Sequence, residues 1–175
     1  MREAGYEFDV VSPPVEEVAH DWLTVRELTA WNAARKAAGV SEQFPDSVVL
    51  AADTLVTLDG EVLGKPADFE NAVEILRRLS GRAHEVWTAV RICCAAQRNS
   101  ETFQEMSRVH FRALDDPTIR AYLAKIDPLD KAGAYAAQGQ GREIIERIDG
   151  SYSNVVGLPM EKTAAALQSF GVKPR

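Results

Sequence analysis

Apolar residues along this chain fall into two periods. From Thr24 they recur at helical spacing, with Leu28, Trp31 and Ala34 as a stripe. Thr24 and Glu27 have the spacing of a capping box, and Gly39 follows, so the pattern predicts a helix reaching about Ala38. Residues 48–52 are continuously apolar and β-branched at their start, which predicts a strand buried on both faces. Asp59-Gly60, between Leu58 and Glu61, predicts a type I′ hairpin, because both central positions of that turn need positive φ. Asp68 then caps a helix in which Ala72, Val73, Leu76 and Leu79 share a face, stopping at Gly81. Two strand-like runs, 84–96 and 102–114, flank a polar turn at 97–101. Asp116-Pro117 opens another helix and Asp127-Pro128 closes it; 143–148 reads as a further strand, and Pro159 opens a terminal helix carrying Ala164, Leu167 and Phe170. Strands interleaved with helices, one hairpin among them, predict an α/β fold with a mixed sheet flanked by helices.

With 175 residues, 46% of them hydrophobic, and no Pro/Gly/Ser-rich linker, the chain reads as one domain over residues 1–175. A net charge of −6 without a Lys/Arg patch argues against a nucleic acid polymer as partner, although local cations suffice for a small nucleotide. No apolar run reaches the length of a membrane span and the charged start is not a signal peptide, so the expected location is cytoplasmic. Cys93 and Cys94 are adjacent and point to opposite faces of a strand, which implies neither a disulfide framework nor a zinc site. His20, His84 and His110 lack ligand spacing, His84 reading as a turn residue; Trp22, Trp31 and Trp87 read as core packing.

Asp53 ends the apolar run at 48–52, and a carboxylate there demands a cation or hydrogen-bond donors. The hairpin brings Lys65 back toward it. Two-residue register pairs Thr54 with Lys65, one pair from Asp53 and on the opposite face, so a break at Gly64 is required if both are to reach one ligand. The alternative is an ion pair at the surface. An acid and a lysine so placed suit phosphate and metal chemistry. Glu16 and Glu17 follow the stiff segment Ser12-Pro13-Pro14-Val15, where the plainer reading is a solvated loop acid. Lys36 falls on the first predicted helix, and Asp130 and Lys131 lead into a Gly/Ala-rich stretch, 129–141, where backbone can approach a ligand closely.

Four blocks carry a family resemblance: A-A-D-T-L-V-T-L-D-G-E-V-L-G-K-P at 51–66, L-S-G-R-A-H-E-V-W-T at 79–88, D-K-A-G-A-Y-A-A-Q-G at 130–139 and I-D-G-S-Y-S-N-V-V-G-L-P at 148–159. In wording and order they resemble the Maf-like nucleoside triphosphate pyrophosphatases. The resemblance implies an elongated α/β fold related to the inosine-triphosphatase-like enzymes, and hydrolysis of a nucleoside triphosphate between its α and β phosphates. It gives Asp53 the role of proton acceptor or metal ligand and makes Glu16 its metal or water partner, with Mg²⁺ or Mn²⁺ as the cofactor. Lys36 and Lys65 match lysines that meet phosphate oxygens. Thr54 and Gln138 match substrate-discriminating positions and resemble the dTTP/UTP branch, including modified pyrimidine nucleotides, not the 7-methyl-GTP branch. A homodimer stays open. The family's S-x-S-P-R-R block, with its strand and helix, has no counterpart in the sequence; the expectation is a start further upstream, or a truncated relative serving as a nucleotide-binding or protein-interaction module. A phosphatase using an aspartyl intermediate lacks a second acid, since Leu55 holds the next same-face position after Asp53.

Overall fold

The Thr24 hydroxyl accepts from the Glu27 amide while the Glu27 carboxylate accepts from the Thr24 amide at 2.9 Å, and this reciprocal box opens α1 (Val25–Ser41). The Thr24 hydroxyl also donates to that carboxylate at 2.7 Å, and this bond first, then the one from the Thr24 amide, holds the Glu27 carboxyl below its ordinary pKa. The computed structural model describes residues 1–12, 15 and 22–175. The buried face of α1 differs in phase from the predicted stripe: Leu28, Thr29, Asn32, Ala33 and Ala37 are buried, whereas Trp31 is 57% exposed. Trp22 is also exposed, so two of the three tryptophans do not pack in a core. The helix turns a partly polar face inward because Asn32 and Lys36 on that face meet an acid on the next strand, and this displaces Trp31 outward.

The strands are β1 (Val49–Leu58), β2 (Glu61–Leu63), β3 (Ala83–Cys94), β4 (Asn99–Phe111) and β5 (Ile145–Asp149), ordered β2-β1-β3-β4-β5 in one sheet. Antiparallel pairing is defined for β1–β2 and β4–β5, and the sheet is antiparallel where a mixed one was expected. The Asp59-Gly60 turn adopts the predicted form, with φ of 53° and 85°, and sets Leu58 opposite Glu61 and Val56 opposite Leu63. Pairing stops at Leu63, so the ladder ends before Gly64 and Lys65.

The remaining helices are α2 (Phe69–Leu79), α3 (Asp116–Leu123), α4 (Tyr152–Val155) and α5 (Met160–Ser169). Asp68, Asp115 and Ser151 cap α2, α3 and α4 by accepting from backbone amides, which satisfies N–H groups a helix start leaves free. Contacts divide the chain into two units. The first comprises Met1–Asp53, Thr88–Gln104 and Leu158–Arg175, and its core gathers Tyr6, Val90, Ile92, Cys94, Ala166, Leu167 and Phe170. Cys94 is buried in it and Cys93 half-buried, both as free thiols. The second comprises Thr54–Trp87 and Glu105–Gly157, with α2 residues Ala72, Val73, Leu76 and Leu79 packed with Val56, Leu58, Val109, Phe111, Ile119 and Leu123. Each such leucine contributes about 1.5–3 kcal/mol by burial. No helix among the described residues is long and apolar enough to cross a membrane.

Candidate active site

In the first unit, Asp53 is a β1 residue with 4% exposure, and its burial forces the question of what meets its charge. Lys36 answers it: Nζ donates to Asp53 Oδ1 at 2.6 Å. Asn32, one helical turn earlier on α1 and itself 3% exposed, directs Nδ2 toward Oδ2 at 3.5 Å, a long hydrogen bond. The i, i+4 spacing places both donors on one helix face. Gln104 secures the start of that helix, its Nε2 donating to the Arg26 carbonyl and to Thr29 Oγ1 while its Oε1 accepts from Arg26 Nε.

In the second unit, Lys65 Nζ donates to Asp130 Oδ1 at 3.2 Å, with 51% and 75% of the two side chains exposed. The Gly133 amide donates to the Gly64 carbonyl at 3.1 Å and fastens the 130–134 segment beside Lys65. Gly133 has φ of 72°, and a Cβ there would meet Val56 at 3.1 Å, so this glycine serves packing against protein rather than approach to a ligand. Gln138 is exposed and precedes a short 3-10 turn, Gly139–Glu143. Thr54 is half-buried, and a Cβ on Gly157 would come within 3.5 Å of its hydroxyl. Asn154 anchors the 148–159 block from inside, donating to the Val86 carbonyl and to Ser107 Oγ, both at 3.0 Å. An open cleft of about 480 Å³ lined by Arg2, Gly5, Tyr6, Glu7, Phe8 and Arg175 includes none of the candidate residues.

Lys36 and Asp53 are thus brought together, whereas Lys65 takes Asp130 as its partner. Glu16 lies outside the described residues. His84 is no turn residue but a buried one on β3. Its Nε2 is 2.8 Å from the Tyr135 hydroxyl, Phe111 packs edge-on at 4.8 Å between ring centroids, and burial pushes its pKa down to about 4. Asn32 is the residue that sequence reasoning missed; its position four residues before Lys36 was the available signal.

Among the described residues, no three His, Cys, Asp or Glu side chains cluster as a cage for a metal. Asp53 offers an anionic oxygen donor, and an ionised carboxylate accepts at several lone pairs. That fits a hard cation such as Mg²⁺, which commonly takes one or two protein carboxylates plus substrate phosphate oxygens.

The Maf-like protein family model matches residues 1–170. The chain belongs to the Maf family. Among its relatives, a protein of Pelotomaculum thermopropionicum is 42% identical over 98% of this chain and 90% of its own length. One of Bacillus velezensis is 43% identical over 95% and 87%, and one of Symbiobacterium thermophilum 44% over 98% and 87%. All three bear the name dTTP/UTP pyrophosphatase. In this Maf chain the family blocks at 51–66 and 130–139 supply the Lys65–Asp130 pair, and the first of them also carries Asp53.

Proposed function

We propose that this Maf chain hydrolyses dTTP and UTP to the nucleoside monophosphate and pyrophosphate. The observation that carries the reading is the buried Asp53 carboxylate held by Lys36 at 2.6 Å, in a chain whose relatives are named for that activity. Asp53 takes a proton from the attacking water as the new oxygen–phosphorus bond forms at the α-phosphorus. The bond from that phosphorus to the bridging oxygen breaks, and pyrophosphate leaves. Lys36 pairs with the carboxylate at 2.6 Å and lends positive charge where phosphate charge accumulates; the family resemblance gives Lys65 the same kind of role.

Asp53, with Glu16, would hold a divalent cation, whose chemistry is to neutralise phosphoryl charge and orient the phosphates. Thr54 and Gln138 are assigned to the pyrimidine edge, where an amide both donates and accepts. A cytoplasmic location belongs to the same reading. A panel of the common ribo- and deoxyribonucleoside triphosphates with Mg²⁺ or Mn²⁺ tests it: pyrophosphate released chiefly from dTTP and UTP is expected, and orthophosphate as the product, or purine preference, overturns it.

A further inference from the structure

Gln138 leaves the backbone at the end of a segment that three tyrosines hold. The Tyr135 hydroxyl lies 2.8 Å from His84 Nε2 and pins the start of the segment inside the second core. The Tyr122 hydroxyl accepts from the Ala136 amide at 3.0 Å and donates to the Ala136 carbonyl at 3.2 Å. The Tyr152 hydroxyl donates to the Ala137 carbonyl at 3.3 Å. A peptide unit is planar from one Cα to the next, so a donor on the Ala137 carbonyl oxygen also fixes the plane that contains the Gln138 Cα. Beyond it the chain turns sharply: Gly139 has φ of 64°, and a Cβ on Gly141 would meet the Ala136 carbonyl oxygen at 2.6 Å.

Tyr152 differs from the other two. Tyr122 and Tyr135 are buried and their hydroxyls serve the core, whereas Tyr152 is 51% exposed and its hydroxyl reaches the peptide unit that carries Gln138. Its own base is firm. Ser151 caps α4, Ser107 Oγ donates to the Ser151 carbonyl at 3.0 Å, and Asn154 Nδ2 donates to the Val86 carbonyl at 3.0 Å. We infer that Tyr152 is a positioning residue for base selection, holding the peptide unit before Gln138 so that the side-chain amide meets the nucleobase edge in one orientation. This rests on the reading of Gln138 as base-selecting for its effect on specificity, though not for the contact itself. Without the hydroxyl the plane tilts, the amide can meet more than one base edge, and discrimination falls before turnover does.

Tyr152→Phe keeps the ring and removes the donor, so melting temperature should move by no more than about 4 °C. Two readouts apply to the full chain. In nucleotide-free protein, ¹⁵N relaxation should show the backbone order parameter of Gln138 falling by about 0.1 or more from the rigid range. With nucleotides, the ratio of kcat/KM for dTTP over GTP should shrink about fivefold or more, while in a Gln138→Ala background the same substitution should change that ratio by less than about twofold. Should the phenylalanine variant fail to fold, Tyr152→Leu carries the same expectations. Native relaxation at Gln138 overturns the inference, as does a loss confined to melting temperature. An equal change of the ratio in both backgrounds also overturns it, since Tyr152 would then act on the base without Gln138. If unmodified protein shows no preference for dTTP, or Gln138→Ala alone leaves the ratio unchanged, the reading of Gln138 fails, and relaxation alone still decides whether Tyr152 holds its peptide unit.

Discussion

Lys36 and Asp53 form an asymmetric pair, an ammonium 24% exposed on a carboxylate 4% exposed, 2.6 Å apart. Removing either partner therefore has unequal consequences. Lys36→Met removes a cation from beside a buried carboxylate, and breaking such a pair costs about 3–5 kcal/mol. Asp53→Asn leaves a lysine that can turn to water, and should cost about 1–2 kcal/mol. Urea denaturation of the two variants checks the order; equal stabilities would contradict the asymmetry of the pair.

Lys65 should behave oppositely. Its pair with Asp130 is exposed on both sides, so Lys65→Ala should change stability by less than about 1 kcal/mol. Turnover should nevertheless fall ~10²-fold, the effect of losing a stabiliser of transition-state charge. Steady-state kinetics beside thermal melting separates these; an unchanged rate would return Lys65 to an ordinary surface ion pair.

Gln138 is exposed and free to present its amide. Replacing it by Glu exchanges a group that donates and accepts for one that only accepts, so the ratio of kcat/KM for dTTP over GTP should shrink about tenfold or more. Competition between the two nucleotides measures that ratio directly, and a constant ratio would remove Gln138 from base selection.

His84 makes stability depend on acid. Its pKa lies near 4 in the fold, lowered first by burial and then by the nearby His110, against an ordinary 6.5. The unfolded chain binds the proton first, so this contribution is complete above about pH 6.5 and is lost as pH falls toward 4. The loss is on the order of 3 kcal/mol. His84→Phe keeps a ring beside Phe111 and Tyr135 and removes the titration. Melting temperature from pH 7 to 4 should fall less steeply in the variant; parallel curves would contradict the assignment.

Local chemistry made much of this fold readable. Thr24, Asp68 and Asp59-Gly60 announce their cap or turn through side-chain acceptors and positive φ, and each forms as predicted. The phase of α1 was not readable from apolar spacing, because its inward face is chosen by Asn32 and Lys36 meeting an acid on β1, a contact between elements that no periodicity encodes. Counting register across the hairpin calls for a break at Gly64, and the ladder does end at Leu63; the lysine's partner Asp130, distant in sequence, is beyond any local count. His84 went unread for a similar reason: nothing local distinguishes a turn histidine from one enclosed by Phe111 and Tyr135.

The claim at the centre is that Asp53 is the proton-accepting carboxylate of a pyrimidine nucleoside triphosphate pyrophosphatase. Pyrophosphate and dTMP formed from dTTP, followed side by side for unmodified protein and for folded Asp53→Asn with Mg²⁺ present, test it most directly. The account predicts equimolar pyrophosphate and dTMP from the unmodified chain and a rate lower by ~10² or more in the variant. Undiminished hydrolysis by folded Asp53→Asn would contradict it.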